Sequence, residues 1–171
     1  LSDISPTRFM VKMARIFEAY PELEADHQRL LESAREYRVN ERGDTEEVYI
    51  IPIVFHIIHE YGAENISDAQ VYDQVAILNR DFRKLNADTI EIVSGFDTIA
   101  KDAHIEFRLA AIDPFGNCTN GIEHINSHET TVGDDPSKLN QWPRSRYLNV
   151  WVVKDMENGV AGYAYYPSAV T

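Results

Sequence analysis

From Val48 to His59 the chain is an almost unbroken run of apolar and β-branched residues. Such a run reads as a strand buried on both faces, with Pro52 marking an edge or irregular portion. The pattern then changes period. Val71, Val75, Leu78 and Phe82 recur at steps of four, three and four, the single stripe of an amphipathic helix. Ser67-Asp-Ala-Gln70 opens that helix as a capping box, and its end is expected near Lys84 to Asn86. Ile105, Phe107 and Leu109 alternate with Glu106, Arg108 and Ala110, the period of a half-buried strand. Asp113 to Gly116 reads as a turn, Gly121 to His124 as a short strand and Asn126 to Arg146 as mostly loop. Two strands, Leu148 to Val153 and Gly159 to Pro167, close the pattern across a short polar turn that suits a hairpin.

Two helical patterns precede all of this. Phe9, Met13, Phe17 and Tyr20 follow Ser5-Pro6, a good helix start. Pro21 breaks the run, and Leu23, Leu30, Leu31, Ala34 and Tyr37 form a second amphipathic stripe. Arg38 to Glu47 is polar and carries one glycine, so it reads as a linker, a domain boundary and a site for proteolytic nicking. The whole order predicts an α+β fold. Its strand-helix-strand unit implies a parallel pair, and its closing hairpin makes the sheet mixed.

Charge narrows the partners. With 28 acidic against 16 basic residues the net charge is -12, which argues against nucleic acid, because phosphate binding needs a basic face. Solubility is the first reading, with calcium binding or an extracellular habitat as the others. No apolar run is long enough to cross a membrane as a helix. The opening residues do not form a signal peptide, so the numbering is expected to begin inside a longer precursor. Cys118 is the sole cysteine; a pairing partner outside this chain is expected rather than a nucleophilic role.

The residues that attract attention as chemistry have simpler readings. His56 and His59 lie three apart in a strand, so their imidazoles point to opposite faces and do not converge on one ion. His124 and His128 lie in a loop-like stretch, and a surface loop is expected there. The paired carboxylates Asp134-Asp135 and Glu46-Glu47 read as solvated surface. Gly159, Ala161, Gly162 and Ala164 are different: a strand of small residues lets another backbone approach and take up an added extended peptide.

In their order, these segments resemble the pappalysin family of metalloproteases, bacterial secreted type. The resemblance lies in Val48–His59, Asn65–Gln70, Leu78–Asn86, Ala103–Ala110 with Asp113–Ile122, and Tyr147–Val153 with Gly162–Pro167. It implies a metzincin, a zinc endopeptidase with a mixed twisted sheet above a horizontal cleft. Residues 1–37 would be a helical pro-segment, 38–47 the maturation linker and 48–171 the upper subdomain of the zincin-like fold. The rim strand gives the expected substrate-binding residues: Gly159, Val160, Ala161, Gly162, Tyr163 and Ala164. The family's zinc helix, H-E-x-x-H-x-x-G-x-x-H, is expected downstream of Thr171. This chain is therefore expected to hold neither catalytic residues nor metal ligands and to be inactive alone. Zinc is expected in the full-length protein, with calcium as a further ion. The implied partners are an extended peptide substrate and the remainder of the protease domain, and the implied location is secreted. Many relatives cap the zinc with a Cys-Gly in the pro-segment; the region near Thr7-Arg8 has no cysteine, and Asp3 is the alternative ligand. The other reading is a complete, non-catalytic peptide-binding module that keeps the rim strand.

Overall fold

The structure, a computed structural model, describes residues 18, 21–40, 47–96, 99–156 and 160–164. The helix expected after Ser5 lies outside the described residues apart from Glu18, as do Gly159 and Tyr165 to Pro167 of the last expected strand. The chain divides into two compact units, of which Glu46–Gly162 is one. Outside that unit lies helix α1, Pro21–Asn40. Pro21 is its first residue, where a missing N–H leaves no bond unmade. The helix runs three residues beyond Tyr37, into the stretch read as linker.

Within Glu46–Gly162 the elements are β1 (Tyr49–His59), α2 (Asp68–Phe82), β2 (Ile105–Leu109), β3 (Ile122–Asn126) and β4 (Leu148–Val152). Short 3-10 turns occupy Ala87–Glu91 and His128–Thr131. The capping box forms as expected: the Ser67 N–H donates to Gln70 Oε1 at 3.0 Å. The helix stops at Phe82 because Lys84 takes a left-handed φ of 54°, so it ends two residues short of Lys84.

β1 is the hub, and β2, β3 and β4 all pair with it in parallel. The mixed sheet predicted from the sequence is not found among the described residues. Its antiparallel member was to be Gly159 to Pro167, and residues 160–164 carry no ladder. The strand edges follow from hydrogen-bond parity. Tyr49 N–H, Ile53 O, Phe55 N–H and His59 O bond His104, Ala110, Gly121 and Ser127 respectively. All four β1 positions are odd, and odd residues of a strand present their backbone groups to one edge. β2 and β3 therefore lie end to end along one edge, and β4 takes the other. The excursion between them leaves and returns at neighbouring rungs, closed by an antiparallel bridge between Ile112 and Cys118. Gly121 permits this closure: its φ is 72°, and a Cβ there would sit 2.7 Å from the Ala110 nitrogen.

The core follows the same parity. Ile53, Phe55 and Ile57 pack with Val71 and Val75 of α2, Phe107 and Ile122. On the opposite face Val54 packs with Ala110 and Trp142, flanked by Tyr147. β1 is buried without interruption from Ile53 to His59, the reason its sequence does not alternate. Asn79 of α2 treats β2 as a strand would: its amide donates to Phe107 O at 2.9 Å and accepts from Phe107 N–H at 2.6 Å. This closes the outer edge of β2, a place where unpaired backbone invites aggregation.

Candidate functional site

In a parallel sheet the carboxyl ends of the strands gather the loops that bind ligands. Here His59 stands level with Asn126, and Ile57 with Val152, so β1, β3 and β4 end together. The 3-10 turn after β3 braces the exit from β4. Thr130, fully buried, accepts at its carbonyl from the N–H groups of Lys154 and Asp155, at 2.9 and 3.0 Å. Its hydroxyl accepts from Lys154 N–H at 2.9 Å. Gly133, at φ 62°, lies so close to Asp155 and Met156 that a Cβ would meet the Asp155 carbonyl oxygen at 2.3 Å. In the adjoining loop the Glu64 carboxylate accepts from Glu60 N–H at 2.8 Å and Gly62 N–H at 3.0 Å. The bond from Glu60 leads the causes that hold its pKa below the usual carboxylate range.

The chain that leaves β4 reaches the expected substrate-binding residues. Val160, Ala161, Gly162, Tyr163 and Ala164 are all exposed and form no strand; Gly159 lies outside the described residues. Among the described residues no atom comes within 4 Å of a Cβ built on Gly162, which leaves room for a second backbone.

The histidines separate as strand geometry requires. His56 is fully buried between Trp142 and Trp151 and bonded at both ring nitrogens, to Glu123 at 2.7 Å and Asn149 at 2.9 Å. His59 lies nearly buried on the other face, near Tyr61 and His124. His124 is not in a loop: β3 extends through Asn126 and presents His124 to Asn65 at 2.6 Å and Asp68 at 3.0 Å. His128 stands 76% exposed at the 3-10 turn. Asp134 is not merely surface, since its carboxylate accepts from the buried Ser137 hydroxyl at 2.8 Å, while Asp135 pairs with Lys138. Cys118 is exposed with a free thiol.

Two further carboxylates are structural. Asp113 accepts from the Asn117 side chain and from the N–H groups of Asn117 and Phe115. Those bonds, the Asn117 side chain first, hold it below the usual range. Asp102 accepts from His104 N–H at 2.7 Å and meets the Arg83 guanidinium at 2.9 Å. The His104 bond leads the causes that lower its pKa.

Sequence patterning passed over the polar residues that organise this region: Asn79, Glu123, Trp142 and Asn149. The signal was present in kind. An asparagine within a helix or a strand is unfavourable there unless its amide is used.

Among the described residues no group of three or more His, Cys, Asp or Glu side chains is placed to hold a metal ion. The described residues therefore offer no ligand set for a zinc ion. No family model matches the chain, and no curated protein does. Solved structures do. Mature mirolysin of Tannerella forsythia in complex with a cleaved peptide is 39% identical, with a TM-score of 0.63 over 71% of this chain. Mirolysin in complex with compound 9 gives 39% and 0.65 over the same share. A promirolysin mutant of Tannerella forsythia is 35% identical, with a TM-score of 0.64 over 81% of this chain. The chain belongs to the mirolysin family. It spans about half the length of the mirolysin structures it matches, 47% in each case. A mirolysin-like sequence thus accounts for the helix-and-parallel-sheet architecture and for the resemblance carried by residues 48 to 167.

Proposed function

We propose that this chain is the pro-segment and upper subdomain of a secreted, mirolysin-like zinc endopeptidase. Residues 1–37 serve as pro-segment, 38–47 as the linker cut on maturation, and 48–171 as the wall above the cleft. The observation that carries this reading is the difference in coverage. The proenzyme aligns with 81% of the chain and the mature enzyme with 71%, a difference in the direction that part of a pro-segment ahead of the sheet would give.

In this reading an extended peptide lies along Gly159, Val160, Ala161, Gly162, Tyr163 and Ala164. Their backbone N–H and carbonyl groups bond it as an added strand, and the small residues Gly159, Ala161, Gly162 and Ala164 let it come close. The exposure of residues 160–164 and the open space at Gly162 support that role. Zinc, when bound, supplies an activated water; its ligands belong to the part of the parent protein outside this sequence. What this chain contributes is the placement of the peptide. The native product of the gene, purified and activated, is expected to cleave an unstructured peptide, to lose that activity to a chelator and to regain it with zinc. Peptide binding without cleavage, unaffected by chelation, would instead mark a non-catalytic peptide-binding module and overturn the proposal.

A further inference from the structure

The buried face of β1 that points away from α2 carries a polar cluster whose hydrogen bonds fix its protons. Asn149 is the key, because its orientation is not free. Its Oδ1 accepts from the Trp142 backbone N–H at 2.8 Å, and its Nδ2 donates to the Trp142 carbonyl at 3.0 Å. Rotating the amide would set donor against donor and acceptor against acceptor. The atom facing His56 Nε2 at 2.9 Å is therefore an acceptor, and Nε2 must carry a proton.

The other ring nitrogen, Nδ1, lies 2.7 Å from Glu123 Oε2. One proton must lie on that line, since two acceptors at such a distance repel. Two observations place it on the histidine. Glu123 accepts two further bonds, from Asn140 Nδ2 at 2.8 Å and from Trp142 Nε1 at 3.2 Å, the company an ionised carboxylate keeps. The His56 ring also stacks on Trp151 with centroids 5.1 Å apart and planes 20° apart, within reach of a cation–π attraction.

We infer that His56 is an imidazolium in the folded chain at neutral pH, paired with an ionised Glu123, and that this pair locks β1, β3, β4 and the loop 139–147 together. Glu123, on β3, is the one charged group among the described residues that is placed in contact with it. β4 presents Asn149 and Trp151, and the loop presents Trp142. The loop is drawn in at both ends of the cluster: Asn140 adopts a left-handed φ of 52° where it meets Glu123, and Trp151 Nε1 donates to Leu139 O at 2.8 Å. Without a proton on that line, two acceptors would face each other at 2.7 Å.

Nitrogen-15 NMR of the His56 side chain in the folded chain at neutral pH tests this. Both ring nitrogens are expected to show attached protons; an unprotonated Nδ1 would overturn the inference. Glu123→Gln supplies a second check, because an amide there can donate to Nδ1. That variant is expected to leave a proton on Nε2 alone and to speed exchange of the two indole N–H groups about tenfold. Two protonated ring nitrogens in a folded Glu123→Gln chain would overturn the lock.

Discussion

The two faces of β1 are built from alternate residues of one strand, yet they hold the fold by different means. Ile53, Phe55 and Ile57 meet α2 and the neighbouring strands through apolar contact alone. Val54 and His56 are covered by Trp142 of a loop and by Glu123 and Asn149, which bond the imidazole and the loop through directed bonds. The first face gains stability in proportion to area, about 1.5–3 kcal/mol per large side chain, and tolerates exchange of similar shapes. The second gains little net energy per bond but fixes where the loop 139–147 lies. The lesson is that area holds β1 in the core, and donor–acceptor matching decides what covers it.

That contrast is open to attack by substitution. Phe55→Ala, on the area-driven face, is expected to cost most, about 3–5 kcal/mol, read as a fall in the denaturant midpoint at unchanged slope. His56→Leu keeps volume but strands Glu123 and Asn149, and is expected to cost about 2–3 kcal/mol. Its distinguishing mark is looser burial of Trp142 by fluorescence quenching; equal losses without that mark would erase the distinction between the faces. Asn79→Leu places the same directed bonding on the apolar side. It is expected to cost about 1–2 kcal/mol, with faster hydrogen exchange at the Phe107 amide.

The smallest effect concerns Asp102, outside both faces. Its pKa is lowered by the bond from His104 N–H and then by Arg83, so the ionised form is favoured by folding. The stability it lends is present above the usual aspartate range and is lost as pH falls through the folded-state value. The melting temperatures of wild type and Asp102→Asn are expected to differ near neutrality and to converge in acid. A gap that widens in acid would contradict the assignment.

The area-driven face was legible in the sequence. Apolar period and run length carry its information, and β1, α2 and β2 followed from them. The cap at Ser67 was equally legible, because its partner lies three residues away. The directed face was not. His56 was recognisable as structural, but Glu123 and Asn149 are 67 and 93 residues away, and no local pattern reports a pairing at that distance. The parallel pairing of β4 was missed for a related reason: the short turn after it suggested a hairpin, and strand direction is set by what β1 offers at its free edge. The proposed substrate rim rests on its small residues and on the family resemblance, since small residues in an exposed segment have no period.

The central claim is that the backbone of residues 159–164 holds an extended peptide in a mirolysin-like enzyme. Gly162→Pro in the full-length protein tests it most directly, because proline removes a backbone donor and blocks close approach. The account predicts a fall of about tenfold or more in kcat/KM for an extended peptide, one charge-free hydrogen bond being about 1 kcal/mol and the steric block adding to it, with the melting temperature unchanged. Unchanged kcat/KM in the folded variant would contradict it.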